Sequence, residues 1–153
     1  MITYHEGDIL KSGANIICHQ VNCRGVMGAG LAKQIKNKYP VVFKKYRELC
    51  EFYNPYDLLG SVSTVLVDAR NRVWIANLFA QLNYGKSKLQ YTNYDALRKC
   101  FLDLKNQEPG MTIAIPYGIG CGLGGGDWNV VKKIIESVFT DSDHDVQIWR
   151  LNK

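Results

Sequence analysis

No stretch of this 153-residue chain approaches the roughly 20 consecutive apolar residues that a membrane-spanning helix needs. The opening MITYHEGDIL has neither a basic start nor a long apolar run, so a secretory leader is not expected. Five cysteines, Cys18, Cys23, Cys50, Cys100 and Cys121, are odd in number and without CxxC spacing. That argues against a disulfide frame or a zinc site and for reduced thiols in a cytoplasmic protein. No carboxylate or histidine cluster has metal-ligand spacing, so a metal-free site is expected. Repeats, low-complexity tracts and linkers with a shift in composition are also missing. A net charge of +5 permits an anionic ligand, but the basic residues are spread along the chain, which weakens a nucleic-acid reading.

What is present is an alternation of short β-rich runs with helical patterns. The runs are Ile2–His5, Asn15–His19, Ser61–Val67, Val73–Leu78, Met111–Pro116 and Asp145–Leu151. Val42, Tyr46, Leu49, Cys50 and Tyr53 fall on one helical face, as do Tyr94, Leu97, Phe101 and Leu104. Thr92 with Asp95 offers a start signal for the latter. Val131, Ile134, Ile135 and Val138 form a third stripe, with Asp127 placed to cap it, and Gly28–Asn37 reads as a shorter helix. The pattern argues for one α/β domain around a largely parallel or mixed sheet.

Two glycine-rich loops each follow a strand-like run and lead into a helix. The first is Asn22-Cys-Arg-Gly-Val-Met-Gly-Ala-Gly-Leu31; the second lies in IPYGIGCGLGGGDW and holds six of the chain's fourteen glycines. At the carboxyl ends of strands in α/β sheets, such loops let backbone N–H groups approach a phosphate. Tight turns are the plainer explanation, although the second loop is longer than a turn requires. Neither loop carries the Lys-Ser/Thr pair of a P-loop, which argues against nucleotide triphosphate hydrolysis, and GVMGAG departs from the dinucleotide fingerprint.

These loops, in this order and behind Gly7-Asp8-Ile9, resemble the macrodomain family, from ITYHEGDI to QIWRL. The nearer branch is the one with the ADP-ribose 1''-phosphate phosphatase and the ADP-ribosyl glycohydrolases, not the one with an Asn-Ala-Ala-Asn motif. The resemblance implies a single macrodomain over residues 1–153, a three-layer α/β/α sandwich on a mixed, largely parallel sheet. It also implies an ADP-ribose pocket. Asp8 and the Ile9 backbone would meet adenine, and Trp149 would lie beside it; Asp8 could instead cap a turn and Trp149 pack in the core. Asn22 would bind the distal ribose. Gly28, Ala29, Gly30 and Leu31 would lie along that ribose and the diphosphate, which Gly118, Ile119, Gly120, Cys121, Gly122 and Leu123 would wrap.

In the glycohydrolases of this branch a lysine follows the strand matching Val73–Leu78 and attacks the anomeric carbon. The matching place here falls at Phe79 or Ala80, and Lys86 and Lys88 lie further along. The phosphatase matches better, because His19 in CHQVNC stands where it has a histidine. His19 could act as proton donor or nucleophile, or be a structural strand-end histidine. Asp127 could position water or serve as general base, or only cap its helix. Phe79, Gln81 and Tyr84 could cover the distal ribose, or pack. Cys23 and Cys121 are expected to pack beside the pocket rather than react.

The expected function is binding of ADP-ribose with hydrolysis at the 1'' end of its derivatives, ADP-ribose 1''-phosphate first and ADP-ribosylated macromolecules second. The expected partner is ADP-ribose or a derivative, free or carried by protein or nucleic acid. No cofactor, metal or membrane is expected, and the chain is expected to act as a monomer. The alternatives are a non-catalytic ADP-ribose reader or scavenger and an RNA-binding module.

Overall fold

The computed structural model describes residues 1–87, 89–107 and 109–151. Its strands are β1 (Ile2–Glu6), β2 (Ile16–Asn22), β3 (Val62–Asp68), β4 (Val73–Gln81), β5 (Thr112–Pro116) and β6 (Asp145–Arg150). They form one sheet in the order β1-β6-β5-β2-β4-β3. Every neighbouring pair is parallel except β3 with β4. The helices are α1 (Gly30–Lys38), α2 (Pro40–Phe52), the single turn α3 (Pro55–Leu58), α4 (Tyr94–Lys105) and α5 (Trp128–Phe139).

The two sheet faces bury two separate cores, which makes the α/β/α sandwich. Ile16 and Cys18 of β2 and Ala76, Leu78 and Ala80 of β4 pack under α4 and α5. Alternate residues Ile17 and Val21, with Ile75 and Phe79, face α1, α2 and α3. In α5 the buried positions Val131, Ile134, Ile135, Val138 and Phe139 keep the helical period, and Phe139 meets Phe101 of α4 edge-on at 5.9 Å. Each such fully buried side chain contributes about 1.5–3 kcal/mol.

Several boundaries differ from the sequence pattern. β2 runs on through Gln20, Val21 and Asn22, and β4 through Phe79, Ala80 and Gln81. Parallel pairing between these two strands carries polar residues that apolar periodicity alone cannot place. The cap of α4 is Asn93, whose side chain accepts from the Ala96 N–H, not Thr92, whose hydroxyl is used elsewhere. Helix α2 begins at Pro40, a favoured first-turn position, and Tyr53 lies past its end, half exposed.

One feature of the sheet positions the site. β2 stays paired with β4 along its whole length but with β5 only at Ile16 and Ile17. Beyond that point the two strands separate. β2 leads to α1 and β5 leads to α5, on opposite faces, so a crevice opens where the winding direction changes. A register shift between Val21 and Asn22 marks the end of β2. No helix among the described residues is long and apolar enough to cross a membrane.

Candidate functional site

A cavity of about 500 Å³ occupies this crevice. That is within the range of small-molecule and cofactor sites. The first glycine loop forms one wall through Asn22, Val26, Gly28, Ala29, Gly30, Leu31 and Ala32, and the second forms another through Gly118, Ile119, Gly120, Gly122, Leu123 and Gly124. His19, Gln20 and Val21 of β2, Pro116 and Tyr117 at the end of β5, and Gln81, Tyr84, Gly85 and Lys86 complete the lining.

The first loop takes its shape from side chains. Asn22, only 7% exposed, donates through Nδ2 to the Val26 carbonyl (2.8 Å) and accepts the Arg24 N–H on Oδ1 (2.9 Å). The buried Tyr46 hydroxyl lies 2.8 Å from both Asn22 oxygens and accepts the N–H groups of Gly25 and Val26 at 3.1 Å. Asn22 therefore builds the loop as well as facing the cavity. At the end of this loop α1 starts on Ala29 with no side-chain cap, so its first N–H groups stay available on the cavity side.

In the second loop the N–H groups divide by position. Those of Ile119, Cys121, Gly125 and Gly126 close turns onto the carbonyls of Pro116, Gly118, Gly122 and Gly120. Those of Gly118, Gly120, Gly122, Leu123 and Gly124 have no protein partner among the described residues, and all five residues line the cavity. The loop is held from behind by residues 89–92. The Thr92 hydroxyl donates to the Gly120 carbonyl (2.7 Å), and Tyr91 and Thr92 donate N–H bonds to the Gly124 carbonyl. A Cβ on Gly125 would stand 2.4 Å from the Leu89 carbonyl oxygen, and one on Gly120 would stand 2.7 Å from Gln20 Oε1. Close packing, as well as ligand space, accounts for this run of glycine.

His19 is 2% exposed and its Nε2 lies 2.5 Å from Asn77 Oδ1. Burial pushes its imidazole down to about 4, against a smaller opposing effect of the Asn77 hydrogen bond, so the ring is neutral near pH 7. A neutral ring can accept a proton or act as a nucleophile, and it holds no readily donated charge. Burial also raises the thiols, Cys23 and Cys100 to about 12 and Cys121 to about 11, which disfavours the reactive thiolate. All five cysteines are free, and the described residues hold no group of three or more side chains able to bind a metal.

Several residues singled out from the sequence lie outside the lining. Asp8 caps the short 3-10 turn at Ile9–Lys11 by accepting the Leu10 N–H, and Ile9 is buried. Trp149 stacks on His5 at 5.0 Å, beneath Gly7. It adjoins the cavity through its carbonyl, which accepts the N–H of the lining residue Tyr117 (2.7 Å). Cys121 turns its thiol to the Ile119 carbonyl. Asp127 caps α5 by accepting the Asn129 N–H. Phe79 is core, stacked on Tyr46, whereas Gln81 and Tyr84 face the cavity.

Four further residues contribute to the site. Gln20 donates to Gln81 (2.8 Å) and Thr92 (2.8 Å), tying β2 to the strap behind the second loop. Tyr46 and Thr92 read as helix residues, yet they shape the two loops. Lys86, distant from the strand end in sequence, reaches the lining. Lys88, the other lysine of that stretch, lies outside the described residues.

Comparison with known proteins agrees with the geometry. A DNA ADP-ribosyl glycohydrolase of Mycobacterium tuberculosis is 32% identical over 141 residues, covering 91% of this chain and 39% of that protein. The chain thus spans about two-fifths of the glycohydrolases of this type that it matches. An ADP-ribose 1''-phosphate phosphatase of Saccharomyces cerevisiae is 38% identical over 101 residues, covering 63% of this chain and 56% of that one. The solved macrodomain of Mycobacterium tuberculosis DarG superposes with a TM-score of 0.81 at 28% identity, over 97% of each chain. Residues 18–135, which hold both glycine loops, match the Macro domain profile, and the chain belongs to the Macro domain family.

Proposed function

We propose that the crevice binds ADP-ribose and that the protein hydrolyses a bond at the 1'' end of an ADP-ribose derivative. One observation carries this proposal: unpartnered N–H groups of the second loop and the uncapped start of α1 line the same cavity. Together they suit a diphosphate, because each N–H can bond an anionic oxygen without a charged side chain in the way. Trp149 adjoins that cavity through the Tyr117 N–H and suits the adenine end, and Asp8 is proposed for the same end from the family resemblance. His19, Asn22 and Lys86 also line the cavity and suit the 1'' end, where relatives named for phosphatase and glycohydrolase activity would act. Asp127 caps α5 through one carboxylate oxygen.

A neutral His19 favours proton abstraction from water in a phosphatase-type reaction. The lysine route of the glycohydrolases gains a specific observation from Lys86 in the cavity lining. The test is calorimetric titration with ADP-ribose, then incubation with ADP-ribose 1''-phosphate and with ADP-ribosylated DNA. Binding with phosphate release that His19→Ala abolishes, at ADP-ribose affinity held within about threefold (under about 0.7 kcal/mol), supports the His19 route. Release from DNA that Lys86→Ala abolishes supports the lysine route. Binding without turnover makes the protein a reader, and absence of binding removes the proposal.

A further inference from the structure

His19 and Asn77 are register partners on β2 and β4, side by side on the face under α1 and α2. Asn77 is fully buried and accounts for the close contact to His19 Nε2. Two buried atoms of this pair, His19 Nδ1 and Asn77 Nδ2, have no hydrogen-bond partner among the described residues. His19 belongs to the cavity lining and Asn77 does not, so of the two only His19 borders the space a bound molecule would fill. A buried polar atom without a partner is costly, and one at the wall of a ligand cavity is placed to be satisfied by the ligand or its water.

We propose that Asn77 is a positioning residue, whose side-chain oxygen holds His19 in the Nε2–H tautomer so that Nδ1 presents a lone pair to the cavity. This inference rests on the hydrolase reading and assigns His19 the role of proton acceptor. A neutral imidazole has one N–H, and a carbonyl oxygen beside Nε2 selects that nitrogen for it. The second nitrogen is then an acceptor by necessity. For a 1''-phosphate the steps balance. Water's oxygen bonds to phosphorus as its proton passes to Nδ1. The ester oxygen leaves with the bonding pair and takes that proton to become the hydroxyl of ADP-ribose. Asn77 touches no substrate atom in this scheme. It acts through the ring, as the third group does wherever a base is oriented by a neighbour.

The test is side-chain 15N–1H correlation spectroscopy of the full-length protein, with its three histidines assigned by single substitution. The expected result is a protonated Nε2 and an unprotonated Nδ1 at His19, without titration between pH 5 and 8. Asn77→Leu should give mixed tautomers and a loss of kcat at unchanged ADP-ribose affinity. Asn77→Asp keeps the acceptor and adds charge, so the acid limb of the kcat profile should rise by about one pH unit or more. A protonated Nδ1 in the native protein overturns the inference, as does a tautomer indifferent to Asn77→Leu. Should Asn77→Leu fail to fold, the native spectrum and the Asn77→Asp profile decide. Should no substrate turn over, the hydrolase reading fails by itself, because the spectra report the tautomer independently.

Discussion

The two glycine-rich loops that face each other across the crevice are held in shape by opposite means. The first, leaving β2, is built by side chains: Asn22 and the Tyr46 hydroxyl satisfy its backbone from within the core. The second, leaving β5, is built mainly by close packing: its backbone lies so close to residues 89–92 that several added Cβ atoms would collide. Both solutions leave backbone N–H groups on the cavity side. A polar cluster tolerates side chains around it and depends on complete hydrogen bonding, whereas close backbone packing tolerates no added atom at the positions in contact.

Substitutions should separate the two cases. The largest effect is expected for Gly125→Ala, which adds a Cβ 2.4 Å from the Leu89 carbonyl at a φ of 71°. Strain and overpacking together should cost about 3–5 kcal/mol, read as a fall in the urea midpoint, with ADP-ribose binding weakened. Acid should act instead on β2, at His19. The His19 imidazole, ordinarily near 6.5, is down at about 4 in the fold, so between those values the unfolded chain binds a proton that the folded chain refuses. Stability should therefore fall as pH drops from 6.5 towards 4, by about 3 kcal/mol, and owe nothing to His19 above 6.5. Comparing urea midpoints at several pH values with those of His19→Gln isolates that slope; equal slopes would exclude a buried neutral His19.

Tyr46→Phe should follow, at about 2 kcal/mol, since the ring still packs on Phe79 while the Gly25 and Val26 N–H groups lose their acceptor. Its second readout is faster amide exchange confined to residues 22–28. Gly122→Ala should be the mildest for stability, within about 0.5 kcal/mol, because an added Cβ there meets nothing within 4 Å. It nevertheless places a methyl group at the cavity wall, so ADP-ribose affinity should drop while the urea midpoint holds. A parallel loss of both would mean that the second loop is more tightly packed at Gly122 than at the wall.

Much of this molecule was legible before its structure. Apolar runs and helical stripes marked the strands and the main helices, and the two loops were placed at strand ends by their glycines alone. The single-turn α3 and the extension of β2 and β4 were not, because four residues make too short a pattern and Gln20 and Gln81 break an apolar one. Site residues divided by the same logic. The loop residues Gly28–Leu31, Gly118–Gly120, Gly122 and Leu123 line the cavity, since loops that follow neighbouring strands must share one sheet edge. Asp127 was open between cap and base, and the bond to the Asn129 N–H shows the cap. Thr92 and Tyr46 were read only as helix residues because their partners lie far away in the chain, as with Thr92 and Gly120, 28 residues apart.

The sequence by itself determined the alternation of strand and helix, the two loops and the Macro domain family, because these follow from local periodicity and from residues adjacent in the chain. Only the tertiary structure decided which N–H groups stay unpartnered, that His19 is neutral against Asn77, and that much of the second loop's glycine is required by the strap behind it. Hydrogen bonding and burial depend on distances between residues 58 apart, such as His19 and Asn77, and those distances exist only once the sheet has formed.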